Sequence, residues 1–77
     1  MIAAGGGPLA QGMLVINSVP WALVFIDGRD TGRSTPLMGF PVAPGSHEIK
    51  LQTAAGQVHV ERVDVPAGQT VRITRRF

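Results

Sequence analysis

Cysteine and tyrosine are both absent from this sequence, and long hydrophobic runs are absent as well. Without thiols the chain can form neither disulfides nor thiolate metal sites, although disulfide-free domains occur on both sides of membranes. The longest apolar run covers residues 21–26, whereas a membrane-spanning helix needs about 20 residues. We therefore expect no membrane insertion by this segment.

Charge is also sparse, since seven basic and five acidic residues leave a formal net charge of +2. The one concentration of charge is Arg72, Arg75 and Arg76 near the end of the sequence. Nucleic-acid-binding surfaces usually interleave a basic stripe with aromatic side chains that stack on bases, and only Phe77 lies nearby. The pattern favours a solvated strand end, and we expect no nucleic-acid partner.

The length of 77 residues and the hydrophobic content of 44% indicate one small globular domain with a thin core. Residues 1–11, MIAAGGGPLAQ, are predicted to be a flexible linker, native or added for expression. They combine alanine and glycine and lack the pattern of a secretory signal. Residues 12–77 are predicted to form the folded domain.

From Gly12 onward apolar residues recur with a period of two, which is typical of β-strands. Turn-forming pairs such as Asp27-Gly28 and Pro44-Gly45 separate these runs, and no stretch has the 3.6-residue period of a helix. The sequence therefore predicts an all-β fold, a small and mostly antiparallel β-sandwich or open barrel of six or seven short strands. The residues expected in its core are Leu14, Ile16, Ala22, Val24, Ile26, Leu37, Ile49, Leu51, Val65, Val71 and Ile73.

Turn-forming residues and the phase of the apolar alternation predict three local features. Ser18-Val19-Pro20 is expected to join the first two strands as a tight hairpin, and Pro66-Ala67-Gly68 is expected to close a hairpin to the last strand. The valines at 58 and 60 are out of phase with those at 63 and 65. A β-bulge is therefore expected at Glu61-Arg62, where it would reset which face is buried.

The first of these hairpins would place apolar side chains side by side on the face turned away from the core. A domain of this size has no third layer to cover that face, so we expect an exposed apolar patch for self-association or partner docking. The alternative is that the linker or a bent C-terminal strand covers it. The expected interaction face is Met13, Val15, Leu23 and Phe25, joined by Trp21 if its indole is exposed rather than packed over one end of the core.

Two short motifs resemble catalytic signatures. Asp30-Thr31-Gly32 spells the aspartic-protease triplet, but those enzymes hold the aspartate on a buried loop beside a second carboxylate. Here arginines flank the triplet within a turn-rich connection, which favours an exposed turn. Residues 28–34 resemble a phosphate-binding loop only faintly, because the spacing is one residue short and Pro36 blocks the required helix. No serine or threonine has a base partner in its pattern, so we expect no catalytic residue, no cofactor and no enzymatic activity.

His47 and His59 are the only histidines in the sequence. They lie on different predicted strands and could face each other across a sheet, but two imidazoles without a third ligand rarely hold a metal. His47 is in phase with Ile49 and Leu51. It is therefore predicted to be partly buried and bonded to a backbone partner, and no metal site is expected.

One series of residues runs through most of the chain in a distinctive order and spacing. It consists of Leu14, Ile16, Ser18, Pro20, Trp21, Ala22, Val24, Ile26, Asp27, Gly28, Gly32, Thr35, Pro36, Leu37, Pro44, Gly45, His47, Ile49, Leu51, Val63, Val65 and Gly68. Over essentially all of residues 12–77 this series resembles the PEGA domain family. The segment that gives the family its name is rendered only loosely, by Val42-Ala43-Pro44-Gly45.

The resemblance implies a non-catalytic β module, of a kind often appended to bacterial serine/threonine kinases, membrane-anchored proteins and surface proteins. The expected function is protein binding or scaffolding within a larger bacterial protein, with a protein partner or self-association. An extracytoplasmic or cell-envelope location is favoured by the resemblance alone. The alternative is a carbohydrate- or cell-wall-binding module, for which the chain offers just Trp21 and Phe25 as aromatic platforms.

Overall fold

The computed structural model describes residues 11–77. The predicted linker over residues 1–11 lies outside these described residues except for its last position, and it stays a prediction. Within residues 11–77, no helix is long and apolar enough to cross a membrane.

Over residues 11–77, seven β-strands in two sheets make up an open sandwich, which confirms the predicted all-β fold with six or seven strands. In chain order the strands are β1 Gly12–Val19, β2 Ala22–Ile26, β3 Arg29–Ser34, β4 Leu37–Val42, β5 Gly45–Thr53, β6 Val58–Val65 and β7 Thr70–Arg76. Burial alternates along β1 and β2, as expected for strands with one face against a core.

The three-stranded sheet has the order β4-β1-β7, and the four-stranded sheet has the order β3-β2-β5-β6. All neighbouring strands are antiparallel except β1 and β7, which are parallel. The hairpin predicted at Ser18-Val19-Pro20 is therefore wrong, because β1 and β2 belong to different sheets. The hairpin predicted at Pro66-Ala67-Gly68 is wrong for the same reason, since β6 and β7 are also in different sheets. Both segments carry the chain from one sheet to the other.

A buried pair of hydroxyl groups holds the crossing from β1 to β2. Ser18 Oγ lies 2.7 Å from Thr35 Oγ1 and donates to the carbonyl of Pro20 at 2.9 Å. Thr35 Oγ1 accepts the backbone N–H of Ala22 at 2.9 Å, and the Thr35 N–H donates to the Ala22 carbonyl at 2.8 Å. The two side chains thus satisfy backbone groups that would otherwise be buried without a partner.

The turn predicted at Asp27-Gly28 is confirmed, and it joins β2 to β3 directly. Its φ angles are 53° at Asp27 and 80° at Gly28. Two-residue hairpin loops of this kind need positive φ at both positions, which aspartate and glycine tolerate better than other residues.

The bulge predicted at Glu61-Arg62 is wrong. Strands β5 and β6 pair without a register shift from Gly45 opposite Val65 to Gln52 opposite Val58. The valines of β6 therefore lie on both of its faces: Val58 and Val60 are 53% and 49% exposed, whereas Val65 is buried. As a result, the Glu61 side chain turns toward the interior of the sandwich.

The core lies between the two sheets and matches the expected set closely. All the predicted core residues are buried except Val71, which is half-buried and packs against the core from β7. Val42, at the end of β4, is buried although it was not in the expected set. Its strand is an edge strand with irregular pairing, where alternation is a weaker guide.

Candidate functional site

A groove of about 590 Å³ opens between the β2–β3 turn and the connection from β4 to β5. Apolar side chains from both sheets contribute to its lining, and polar side chains from the turn, from β3 and from β5 complete it. The apolar lining includes Ile26, Phe40 and Val42, and the polar lining includes Asp27, Asp30 and His47.

His47 is the most tightly held polar side chain of this groove. Its Nδ1 lies 2.6 Å from Asp27 Oδ2, and its Nε2 lies 2.6 Å from the Ala43 carbonyl oxygen. Both neighbours are acceptors, so only the protonated imidazole can donate to both of them. The expected burial and backbone partner of His47 are confirmed, with 12% of the side chain exposed.

The two charged partners shift each other's pKa in opposite directions. The hydrogen bond to the Asp27 carboxylate, and then the bond to the Ala43 carbonyl, raise the pKa of His47. The bond from His47, and then the bond from the Glu48 N–H, lower the pKa of Asp27. Both effects favour an ion pair between imidazolium and carboxylate.

This network connects parts of the fold that are distant in sequence. Asp27 Oδ1 accepts the Glu48 N–H at 2.9 Å, and the Asp27 N–H donates to the Glu48 carbonyl at 2.8 Å. The β2–β3 turn is thereby tied to β5, while His47 reaches back to Ala43. Since both ring nitrogens already face acceptors, the imidazole has no free lone pair to take a proton from a substrate.

The aspartate of the protease-like triplet lies on the edge strand β3. Asp30 Oδ1 accepts the N–H of Gly32 at 2.8 Å, and Thr31 Oγ1 donates to the Val24 carbonyl at 2.8 Å. Asp30 is exposed, unlike the buried aspartate of an acid protease. The triplet shapes an irregular stretch of strand β3 rather than the turn expected from the sequence.

A second polar cluster joins β6 to β7 across the two sheets. Arg75 forms an ion pair with Glu61, and its Nε donates to His59 Nε2 at 3.2 Å. The Phe77 ring meets the His59 ring edge-on, with centroids 6.5 Å apart. Glu61 keeps 18% of its side chain exposed. The cluster therefore links the edges of the two sheets on this side of the sandwich.

The two histidines do not face each other. On adjacent strands, His47 lies opposite Val63 and His59 lies opposite Leu51. In the part of the chain from residue 11 to 77, no group of three histidine, cysteine, aspartate or glutamate side chains is placed to hold a metal ion.

The expected interaction face is divided between opposite sides of the sandwich. Met13 and Val15 lie on the outer face of the three-stranded sheet, whereas Leu23 and Phe25 lie on the outer face of the four-stranded sheet. Trp21 is in phase with Leu23 and is 52% exposed. The five residues do not form one patch, because the hairpin that would have joined them does not exist.

Each outer face carries its own set of exposed and half-buried apolar side chains. The methionine face, on the three-stranded sheet, consists of Met13, Val15, Val19 and Met38, with Arg72 and Arg76 beside them. The tryptophan face, on the four-stranded sheet, consists of Trp21, Leu23, Phe25, Val58 and Val60. On the latter, Lys50 Nζ lies 4.6 Å from the centroid of the Phe25 ring and covers part of it.

Sequence reasoning missed both ion pairs. Asp27 has only a turn signal in the sequence, and this signal does not point to a histidine twenty residues away. The bulge predicted at Glu61-Arg62 obscures the orientation of Glu61, whereas an unbroken period of two turns it inward with His59 and Val63. The tertiary partner Arg75 had no local signal.

Comparison with known proteins identifies one family. The model of the family described as the PEGA domain matches residues 11–77, which are all the residues that the structure describes. A search of curated proteins found no match. The match confirms the resemblance noted from the residue series, and the chain belongs to the PEGA domain family.

Proposed function

We propose that this PEGA domain is a non-catalytic, protein-binding module of a larger bacterial protein. The observation that carries the proposal is the apolar surface on both outer faces. Met38, Val19, Trp21 and Val58 are each more than half exposed, although none of them belongs to the buried core. Surface apolar clusters rimmed by polar residues are typical of interaction sites.

The polar groups of the groove support the same proposal. Every polar atom of the His47 ring and both carboxylate oxygens of Asp27 are engaged in bonds that fix the fold. Such a network stabilises a scaffold and leaves no nucleophile–base pair for chemistry. The family resemblance adds the context of kinase, membrane-anchored or surface proteins, with a location outside the cytoplasm.

The experiment compares matched variants of the two outer faces. Leu23→Glu places a charge on the tryptophan face and Met38→Glu places one on the methionine face, at exposed positions where the fold should survive. Partners are captured from the lysate of the source organism and quantified against an unrelated β-sandwich, and self-association is measured by sedimentation velocity.

We expect one variant to lose specific partners or self-association while the other retains them. The proposal fails if the wild-type chain neither self-associates nor enriches any protein over the unrelated sandwich. The assignment of binding to these two faces also fails if both variants fold and then bind partners and self-associate as the wild type does.

Carbohydrate or cell-wall binding is the second candidate, and the exposed indole of Trp21 favours it. Sugars stack on such rings, and this is the only tryptophan in the chain. Intrinsic fluorescence therefore reports on that side chain alone. A saturable change with peptidoglycan fragments, lost in Trp21→Ala, would favour this candidate over protein binding.

A further inference from the structure

Within residues 11–77 the sandwich has four open strand edges, and they differ in how well they are protected. They belong to β3 and β6 in one sheet and to β4 and β7 in the other. An open edge presents unpaired N–H and C=O groups that can pair with another chain, and proteins usually block such edges with bulges, proline, glycine or charged side chains.

Irregular backbone protects two of the edges. In β3 the pairing shifts opposite Val24 and Phe25, and Gly32 has a φ of 73°. In β4 the register also shifts, Gly39 has a φ of 67°, and Pro41 lacks an N–H. Neither strand offers a regular row of donors and acceptors to an added strand.

A side chain covers part of the third edge, that of β7. The bonds from Met13 N–H to the Gln69 carbonyl and from Phe77 N–H to the Val19 carbonyl fix which groups of β7 face β1. Along a strand of a parallel ladder, the backbone groups of successive residues point alternately to one side and the other, so the carbonyl of Thr74 points to the open side. Arg75 Nη1 donates to that carbonyl at 2.7 Å.

The fourth edge, that of β6, has neither an irregular backbone nor a side chain bonded across it, and the charged residues between positions 61 and 64 are its only protection. The strand runs eight residues from Val58 to Val65 without glycine, proline or a register shift. Its even-numbered residues hold the open backbone groups, because Thr53 N–H donates to the Gln57 carbonyl and hydrogen-bonded pairs alternate from there. The residues of this β6 edge are Val58, Val60, Arg62 and Asp64.

The side chains of the same four residues point to the outer face of the sheet, next to the tryptophan face. Val58 and Val60 are about half exposed. Arg62 and Asp64 are exposed, and neither forms an ion pair with another residue between 11 and 77. The edge thus offers two apolar positions, followed by one positive and one negative charge.

A second copy of the chain fits this edge poorly. When the β6 edges of two copies pair antiparallel with all four edge residues matched, Glu61 of one copy lies opposite Glu61 of the other. If one strand slides by two residues in one direction, Arg62 lies opposite Arg62. If it slides by two residues in the other direction, the pairing extends into the turn at Gly56. Like charges directly opposite each other destabilise a strand pair.

We propose that the β6 edge binds an extended segment of a protein partner as an added antiparallel strand. The outward side chains of this partner segment are apolar opposite Val58 and Val60, acidic opposite Arg62 and basic opposite Asp64. Main-chain bonds supply the binding and the charges select the partner. This inference rests on the proposed protein-binding function and assigns it a surface and a partner chemistry.

The test uses two synthetic eight-residue peptides of identical composition. In the first, glutamate faces Arg62, lysine faces Asp64 and valines face Val58 and Val60, with threonines between them; in the second, glutamate and lysine are exchanged. Each peptide is titrated into the ¹⁵N-labelled 77-residue chain. We expect the first peptide to shift the amide signals of the β6 edge and to bind roughly tenfold more tightly than the second.

A charge exchange in the protein supplies the matched control. Arg62→Glu should abolish the preference between the two peptides, because each peptide then forms one attractive and one repulsive pair, whereas Arg72→Glu, an exposed arginine on the other sheet, should leave the preference unchanged. Both positions are exposed, so neither change removes a core contact. The proposal is overturned if neither peptide shifts the edge amides, or if Arg62→Glu leaves the preference as it was.

The failure of this inference differs from the failure of the proposed function. Protein partners of the chain bind elsewhere if they bind Arg62→Glu as tightly as the wild type and do not slow hydrogen exchange of the backbone amides of the β6 edge. The β6 edge is then excluded, and protein binding stands. If no protein partner binds the wild-type chain, protein binding itself is excluded.

Discussion

Thr35 makes more structural bonds than its small size suggests. Its hydroxyl accepts the buried Ala22 N–H and contacts Ser18 Oγ, and the residue is only 4% exposed. Thr35→Val keeps the shape but leaves the buried Ala22 N–H without a partner and removes one of the two bonds of Ser18 Oγ, so we expect the free energy of unfolding to fall by about 1–3 kcal/mol. Urea denaturation measures this change, and the exposed Thr70→Val should stay within about 0.5 kcal/mol of wild type. Equal stability of Thr35→Val and wild type would remove the hydroxyl pair from the explanation of this crossing.

His47 should make stability depend on pH. Its pKa is raised on folding from about 6.5, so its contribution is fully present below that value and is lost as pH rises through the folded pKa. The pKa of Asp27 is lowered from about 3.8, so its contribution is present above that value and is lost as pH falls through the folded pKa. The pair therefore stabilises the fold most between about pH 4 and 6.5.

Thermal unfolding at one pH inside this window and one pH above it provides the measurement. We expect the wild type to melt at a higher temperature at pH 5.5 than at pH 8.5, and His47→Gln to lose most of that difference. His59→Gln is the matched control and should retain it. If His47→Gln keeps the wild-type difference, the ion pair with Asp27 does not control it.

The ion pair between Glu61 of β6 and Arg75 of β7 links these two strands. Arg75→Met leaves the mostly buried Glu61 without its cation, and one of the Glu61 oxygens has no hydrogen-bond partner even in the wild type. Because Arg75 remains 40% exposed, we expect a loss of about 1–2 kcal/mol, between the values for surface and buried pairs. Chemical denaturation checks this, with Arg72→Met as an exposed control.

A double variant separates the contribution of the ion pair from that of the Arg75 side chain alone. Adding Glu61→Gln to Arg75→Met removes the uncompensated charge and should recover part of the lost stability. If the stability losses of the single variants Arg75→Met and Glu61→Gln simply add in the double variant, the ion pair contributes nothing of its own and Arg75 acts through its packing alone.

The strands themselves could be predicted from the sequence because their signals are local. The period of two in β2 and β5 and the Asp27-Gly28 turn depend only on neighbouring residues. The pairing of strands could not be predicted in the same way. Ser18-Val19-Pro20 shows that the chain changes direction, but whether the next strand joins the same sheet depends on which distant strands bury its apolar face.

The candidate site was harder to predict than the fold for a related reason. His47 was expected to be partly buried because it is in phase with Ile49, yet its partner Asp27 lies twenty residues away in a turn. The openness of the β6 edge depended on the absence of a bulge at Glu61-Arg62, which only the pairing with β5 reveals. Each of these features joins residues that have no local signal for each other.

Hydrogen exchange of individual backbone amides in the free chain tests most directly whether β6 is an open edge of a two-sheet sandwich. Strand β5 lies between β2 and β6, so consecutive amides from Glu48 to Gln52 should all exchange slowly. Along β6 the amides of Val60, Arg62 and Asp64 should exchange fast, while those between them exchange slowly. Uniform protection along β6 would contradict the open edge, and alternation along β5 would contradict the sheet order itself.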